Sequence, residues 1–279
     1  MIASRPRPAP ARAYHGRIPP LPTFTTLGHG PVVLMLHGSG GGFRSFAPQV
    51  ETLASLGFRA VAWDMPGYGH SAPVEPYGFK GLAERCVALI EALAPPGGQV
   101  ALVGQGMGGM VAQEVALRRP DLVRQLVLAA TAAAVAEGDA YDRHAARCLN
   151  WLQAGPDLEA IAQTLLPRLV GPGALPAGVQ LAAHCQAQVH AATWRRALQA
   201  MASFDRRPAL GLIHVPTMLI AGEHDSVAPP AQMEAMAAAI TGAQCVPVPH
   251  SGHLPHLERP EEFDTLLLDF LRHAKAWLH

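Results

Sequence analysis

The chain has 279 residues, 49% of them hydrophobic and 15% charged, which is ample apolar material for the core of one α/β domain. Its 21 basic side chains balance 21 acidic ones, so neither nucleic acid nor an anionic membrane surface is an expected partner. Cys86, Cys148, Cys185 and Cys245 show no Cys-x-x-Cys spacing and read as free thiols of a reducing compartment.

Residues 1–22 are rich in proline, alanine and arginine, and no apolar run of signal-peptide length occurs there. An extended N-terminal arm is expected. No stretch reaches the ~20 apolar residues of a membrane span, and a cytoplasmic protein is the expectation. The first buried strand is predicted at 31–36, stopped by His37-Gly38. A helix follows at 45–56, ended by Gly57, then a strand at 58–64 and an amphipathic helix at 81–93. A strand at 99–103, a helix at 107–119 and a strand at 125–130 continue the alternation. From about 132 to 208 the pattern turns helical, with proline and glycine interruptions. Alternation resumes with a strand at 217–221, a helix at 230–240, a strand at 245–249 and a terminal helix at 261–278. Strands alternating with helices predict an α/β fold with a mostly parallel sheet covered on both faces. Its core is expected at 23–131 and 209–279, with 132–208 inserted as a helical cap.

Residues 103–113 read Val-Gly-Gln-Gly-Met-Gly-Gly-Met-Val-Ala-Gln, between a predicted strand and a predicted helix. A Gly-x-nucleophile-x-Gly frame in that setting forms a sharp turn that lifts its central side chain out of the sheet. Here the central residue is Gly106. Four other motifs stand at element ends in a consistent order: His37-Gly38-Ser39-Gly40, Asp64-x-Pro66-Gly67-x-Gly69-x-Ser71, Gly222-x-x-Asp225 and Ser251-Gly252-His253. With these the chain resembles the α/β-hydrolase superfamily over about residues 24–275, in its capped serine-hydrolase form, similar to esterases, lactonases and carbon–carbon bond hydrolases.

The resemblance implies a role for each position. Gly106 occupies the nucleophile site, Asp225 the triad acid and His253 the general base. The backbone N–H groups of Ser39 and Met107 would form an oxyanion hole. His37, Gly38 and Gln105, with Trp151 and Trp194 of the cap, are expected to bind a small-molecule substrate. The cap's apolar and aromatic content suits a largely apolar one. No cofactor is implied. His250, His253 and His256 recur every three residues, but Pro249 and Pro255 flank them and no fourth ligand is suitably spaced, so no metal site is expected.

Glycine tolerates the strained elbow backbone without a Cβ penalty and closes the covalent route. No other serine or cysteine falls on an elbow. Three readings follow. The chain is a hydrolase for esters, lactones or carbonyl compounds with its serine changed to glycine. Alternatively it is a nucleophile-free lyase, decarboxylase, isomerase or cofactor-free oxygenase driven by the His253–Asp225 dyad. The third reading is a non-catalytic binding module, which the retained acid and histidine disfavour.

Overall fold

The computed structural model describes residues 20–155 and 157–273. Most of the expected arm and the last residues of the expected terminal helix lie outside them. Among the described residues seven strands form one sheet: β1 Phe24–Leu27, β2 Val32–Leu36, β3 Arg59–Trp63, β4 Val100–Gln105, β5 Val123–Ala129, β6 Thr217–Gly222 and β7 Gln244–Val248. Their spatial order is β1-β3-β2-β4-β5-β6-β7. Every pairing is parallel except β1 with β3. The edge strand β1 was not anticipated, because its four residues are mostly exposed and alternate no apolar face. The remaining strands stand within two residues of their predicted bounds.

The central strands are buried on both sides, so their residues divide between two apolar layers. Val33 and Met35 of β2 face Val50 and Leu53 of α1 (Ala47–Ser55) and Phe263, Leu267 and Phe270 of α10 (Pro260–His273). Leu34 and Leu36 face the other layer, with Leu82 and Leu89 of α2 (Phe79–Leu93), Met110 and Val111 of α3 (Met107–Arg118) and Met233 of α8 (Pro230–Ala238). Between β5 and β6 come α4 (Ala140–Ala154), α5 (Leu158–Leu165), α6 (Pro176–Ala187) and α7 (Ala191–Met201). Asp139 and Asp157 cap α4 and α5 through the backbone N–H groups of Asp142 and Ala160. A short helix, α9 (Pro255–Glu258), precedes α10.

Two of the buried histidines are held neutral by their surroundings. His256 packs between Phe46 and Phe263, at ring-centroid distances of 4.7 and 5.9 Å. Burial, helped by the His253 charge, lowers its pKa to about 3. In α4, burial and the same neighbour lower His144 to about 3. Both stay neutral in the fold while the unfolded chain takes up protons below about pH 6.5. The unfolded state then binds more protons, so stability is full above pH 6.5 and falls as pH drops toward 3.

Unfolding midpoints in urea, followed by circular dichroism, are expected to fall below pH 6.5, at about 1 kcal/mol per pH unit for each histidine. His256→Leu should flatten that slope, and an unchanged slope would refute the assignment. A second expectation concerns the packing of α3 on the sheet. A Cβ on Gly108 would lie 2.1 Å from the Leu36 carbonyl oxygen. Gly108→Ala should therefore cost about 1–3 kcal/mol or more, measured by the same titration.

Candidate active site

The turn between β4 and α3 is built around Gly106, whose backbone has φ 54° and ψ −122°. An L side chain adopts that region only at a cost of about 1–3 kcal/mol. Its N–H donates to the Ala129 carbonyl at 3.0 Å, and its carbonyl accepts the Thr131 hydroxyl at 2.6 Å. The following helix adds the Gly109 N–H at 3.0 Å on the same carbonyl. The elbow geometry is thus complete without its side chain. A Cβ at this position would lie 3.4 Å from Tyr141 Oη, 3.5 Å from Gly38 Cα and 3.7 Å from His253 Nε2, all ordinary contacts.

Asp225 and His253 meet across the loops that leave β6 and β7. His253 Nδ1 donates to Asp225 Oδ2 at 2.9 Å, which places its free Nε2 toward Gly106. The other carboxylate oxygen, Oδ1, accepts the Val227 and Ala228 N–H groups at 2.7 and 3.0 Å. Burial alone would raise the Asp225 pKa. The His253 charge and these hydrogen bonds outweigh it and hold the carboxyl below its usual range.

The His253 loop is tied down from several sides. The His253 N–H donates to the Leu169 carbonyl at 2.7 Å, and Gln105 Nε2 donates to the His253 carbonyl at 3.0 Å. Glu258 is buried and accepts the N–H groups of Gly171, Gly252 and Leu254 at 2.7–2.9 Å. A single carboxylate therefore joins the segment after α5 to both flanks of His253. Sequence reading did not assign Glu258 a role, although it stands five residues beyond His253.

The loop after β2 is fixed from behind. His37 Nδ1 donates to the Gly38 carbonyl at 2.7 Å, and its Nε2 accepts the Met65 N–H at 2.9 Å. Burial lowers the His37 pKa, which keeps the ring neutral for those two roles. Tyr68 donates its hydroxyl to the Ser39 carbonyl at 2.8 Å. Among the described residues, neither the Ser39 N–H nor the Met107 N–H is committed to a protein acceptor.

A cavity of about 620 Å³, counting its open mouth, lies above these loops. Gly38, Ser39, Gln105, Gly106, Met107 and His253 line its floor. Tyr141 and His144 of α4, Leu165, Leu166, Leu169, Gln186 of α6 and Trp194 of α7 line its walls. Among the described residues, no lysine or arginine lines it. Of the five residues expected to bind substrate, Gly38, Gln105 and Trp194 border the cavity and two do not. His37 is 1% exposed and spends both ring nitrogens on the backbone. Trp151 stands ten residues beyond Tyr141, about 15 Å further along α4, and packs against the core instead. Gln105 is wedged between loops, since a Cβ on Gly38 would lie 2.4 Å from its Oε1.

Tyr141 escaped the sequence reading, although it lies three residues before His144 and so shares its helix face. It is 2% exposed, and its ring meets those of His253 and His144 edge-on at 5.9 and 6.4 Å. Burial raises its pKa, so the hydroxyl stays protonated. Its Oη has no hydrogen-bond partner among the described residues. The three histidines at 250, 253 and 256 do not converge. His250 is exposed beside Glu223, His253 is in the dyad, and His256 is in the core.

Residues 31–260 match the family model described as the alpha/beta hydrolase fold. The chain is 31% identical over 208 residues to 3-oxoadipate enol-lactonase 2 of Acinetobacter baylyi, covering 73% of this chain and 75% of that protein. It is 27% identical over 260 residues to the pimeloyl-acyl-carrier-protein methyl ester esterase of Neisseria meningitidis serogroup B, covering 86% and 92%. Among solved structures, the enol-lactonase of Burkholderia xenovorans superposes with a TM-score of 0.79 at 26% identity, over 90% of this chain and 96% of the other. A thermophilic esterase of Thermogutta terrifontis gives 0.80 at 28% identity, over 90% and 93%. The sheet order, the strand-to-helix elbow and these matches together show that the chain belongs to the α/β-hydrolase fold family.

Proposed function

We propose that the chain is a small-molecule hydrolase of esters, lactones or related carbonyl compounds that works without an acyl-enzyme. In this reading His253 acts as a general base on water. One observation carries it. The volume that a side chain at 106 would fill is bounded by Tyr141 Oη at 3.4 Å and His253 Nε2 at 3.7 Å. A water oxygen displaced slightly toward both groups accepts a hydrogen bond from Tyr141 and donates one to His253.

The chemistry balances without a covalent intermediate. His253 Nε2 takes a proton from the water as its oxygen bonds to the substrate carbonyl carbon. The developing oxyanion rests on the Ser39 and Met107 N–H groups. His253 then returns the proton to the leaving oxygen as the scissile bond breaks. Asp225 keeps Nδ1 protonated and stabilises the imidazolium. Cavity walls of leucine and Trp194, with no lysine or arginine among the described residues, favour a neutral and largely apolar substrate. The lactonase and esterase relatives support this substrate class.

Aryl acetates and lactones test the reading. The unmodified chain should hydrolyse them above the buffer rate without labelling by a serine-reactive phosphonate. His253→Ala should lose about 10²–10⁴ of that rate. Undiminished turnover in His253→Ala, or phosphonate labelling of the unmodified chain, would overturn the proposal. Tyr141→Phe should lower kcat about five- to tenfold, the worth of one hydrogen bond. Gly106→Ser should acquire phosphonate labelling, because the hydroxyl enters the seat beside His253.

A further inference from the structure

Outside the cavity, among the described residues, one cluster of metal-ligating side chains has no role in the chemistry above. Glu223 and His224 follow β6, and His250 follows β7. Glu223 Oε2 lies 3.5 Å from His224 Nε2 and 4.0 Å from His250 Nδ1. The three donor atoms all fall within 4.8 Å of one another. The two imidazoles are stacked, with centroids 6.4 Å apart and planes inclined by 23°. Side-chain exposures of 49%, 46% and 63% leave all three open to a hydrated ion.

We propose that Glu223, His224 and His250 form a surface site for one divalent cation of the Zn²⁺, Ni²⁺ or Cu²⁺ kind. Ligands at about 2.0–2.2 Å from a tetrahedral zinc stand about 3.3–3.6 Å apart. The observed separations reach that range with small side-chain rotations. Two imidazoles and one carboxylate select these borderline ions over Mg²⁺ and Ca²⁺, which require oxygen ligands. The other coordination positions face solvent and would take water. Arg259 pairs with Glu262 at 3.8 Å through Nη1, and its Nη2 lies against Gly173 beside His250 Cβ.

The location gives the site a structural consequence. Glu223 and His224 immediately precede Asp225, and His250 stands three residues before His253. The two loops already touch through His224 N–H to the Ser251 carbonyl at 2.8 Å and His250 N–H to Glu223 Oε2 at 2.8 Å. A bound ion adds a further link between the loops that carry Asp225 and His253. It therefore stabilises the folded chain by binding only that state.

Isothermal titration of the tag-free full chain with ZnCl₂ tests the proposal. One saturable site per chain is expected, with a rise in Tm of several degrees that MgCl₂ does not reproduce. His224→Ala and His250→Ala should each weaken Zn²⁺ binding about tenfold or more, and the double variant should abolish the Tm shift. Absence of saturable binding would overturn the proposal. So would unchanged affinity in the double variant, which would assign the ion to other histidines. These readouts do not depend on turnover, so they succeed or fail separately from the hydrolase reading.

Discussion

The left-handed backbone at Gly106 is the constraint on which the rest of the site depends. A strand that enters a helix through φ 54° aims the Cβ direction of its buried turn residue into the cavity above the sheet. That geometry is expensive for an L side chain, so it persists only when neighbours fix it. Here Ala129, Thr131 and the first turn of α3 hold both backbone polar groups of the turn. Glycine adopts that backbone without the strain and places no side-chain atom there. The stabilised turn therefore keeps an α/β-hydrolase frame around a position that cannot form an ester.

Beside this turn a buried carboxylate–imidazole pair spans two loops. Asp225 is 4% exposed and His253 7%, so their interaction is weakly screened. Such a pair is costly to bury unless every lone pair is satisfied. Both Asp225 oxygens are satisfied, and the backbone on either side of His253 is tied to Gln105, Leu169 and Glu258. The segment after α5 takes part in this framework, so the region between β5 and β6 braces the His253 backbone as well as roofing the cavity. Tyr141 adds a hydroxyl that reaches the space beside Gly106.

Much of the fold was legible because parallel strands buried on both faces read as short apolar runs. Leu34 and Leu36 sit in one layer and Val33 and Met35 in the other, which leaves the run 32–36 without a polar position. Exposed β1 carries no such signal. It forms because β3 offers an unpaired edge, which no local pattern announces. Motif positions were legible for a related reason. Gly106, Asp225 and His253 stand at element ends, where turn chemistry restricts the residues allowed.

By itself the sequence determined the alternating architecture, the glycine at the elbow, and the acid and histidine at the ends of β6 and β7. These features follow from periodicity and local backbone preference. Only the tertiary structure decided which side chains share the cavity. It brought Tyr141 to Gly106, turned His37 away to bind backbone, and left Trp151 beyond reach. It also gathered Glu223, His224 and His250 at one surface, because two loops adjacent in the sheet join residues 26 or more positions apart. Side-chain proximity across a parallel sheet depends on strand order, and strand order is written in the packing of the whole domain rather than in any one segment.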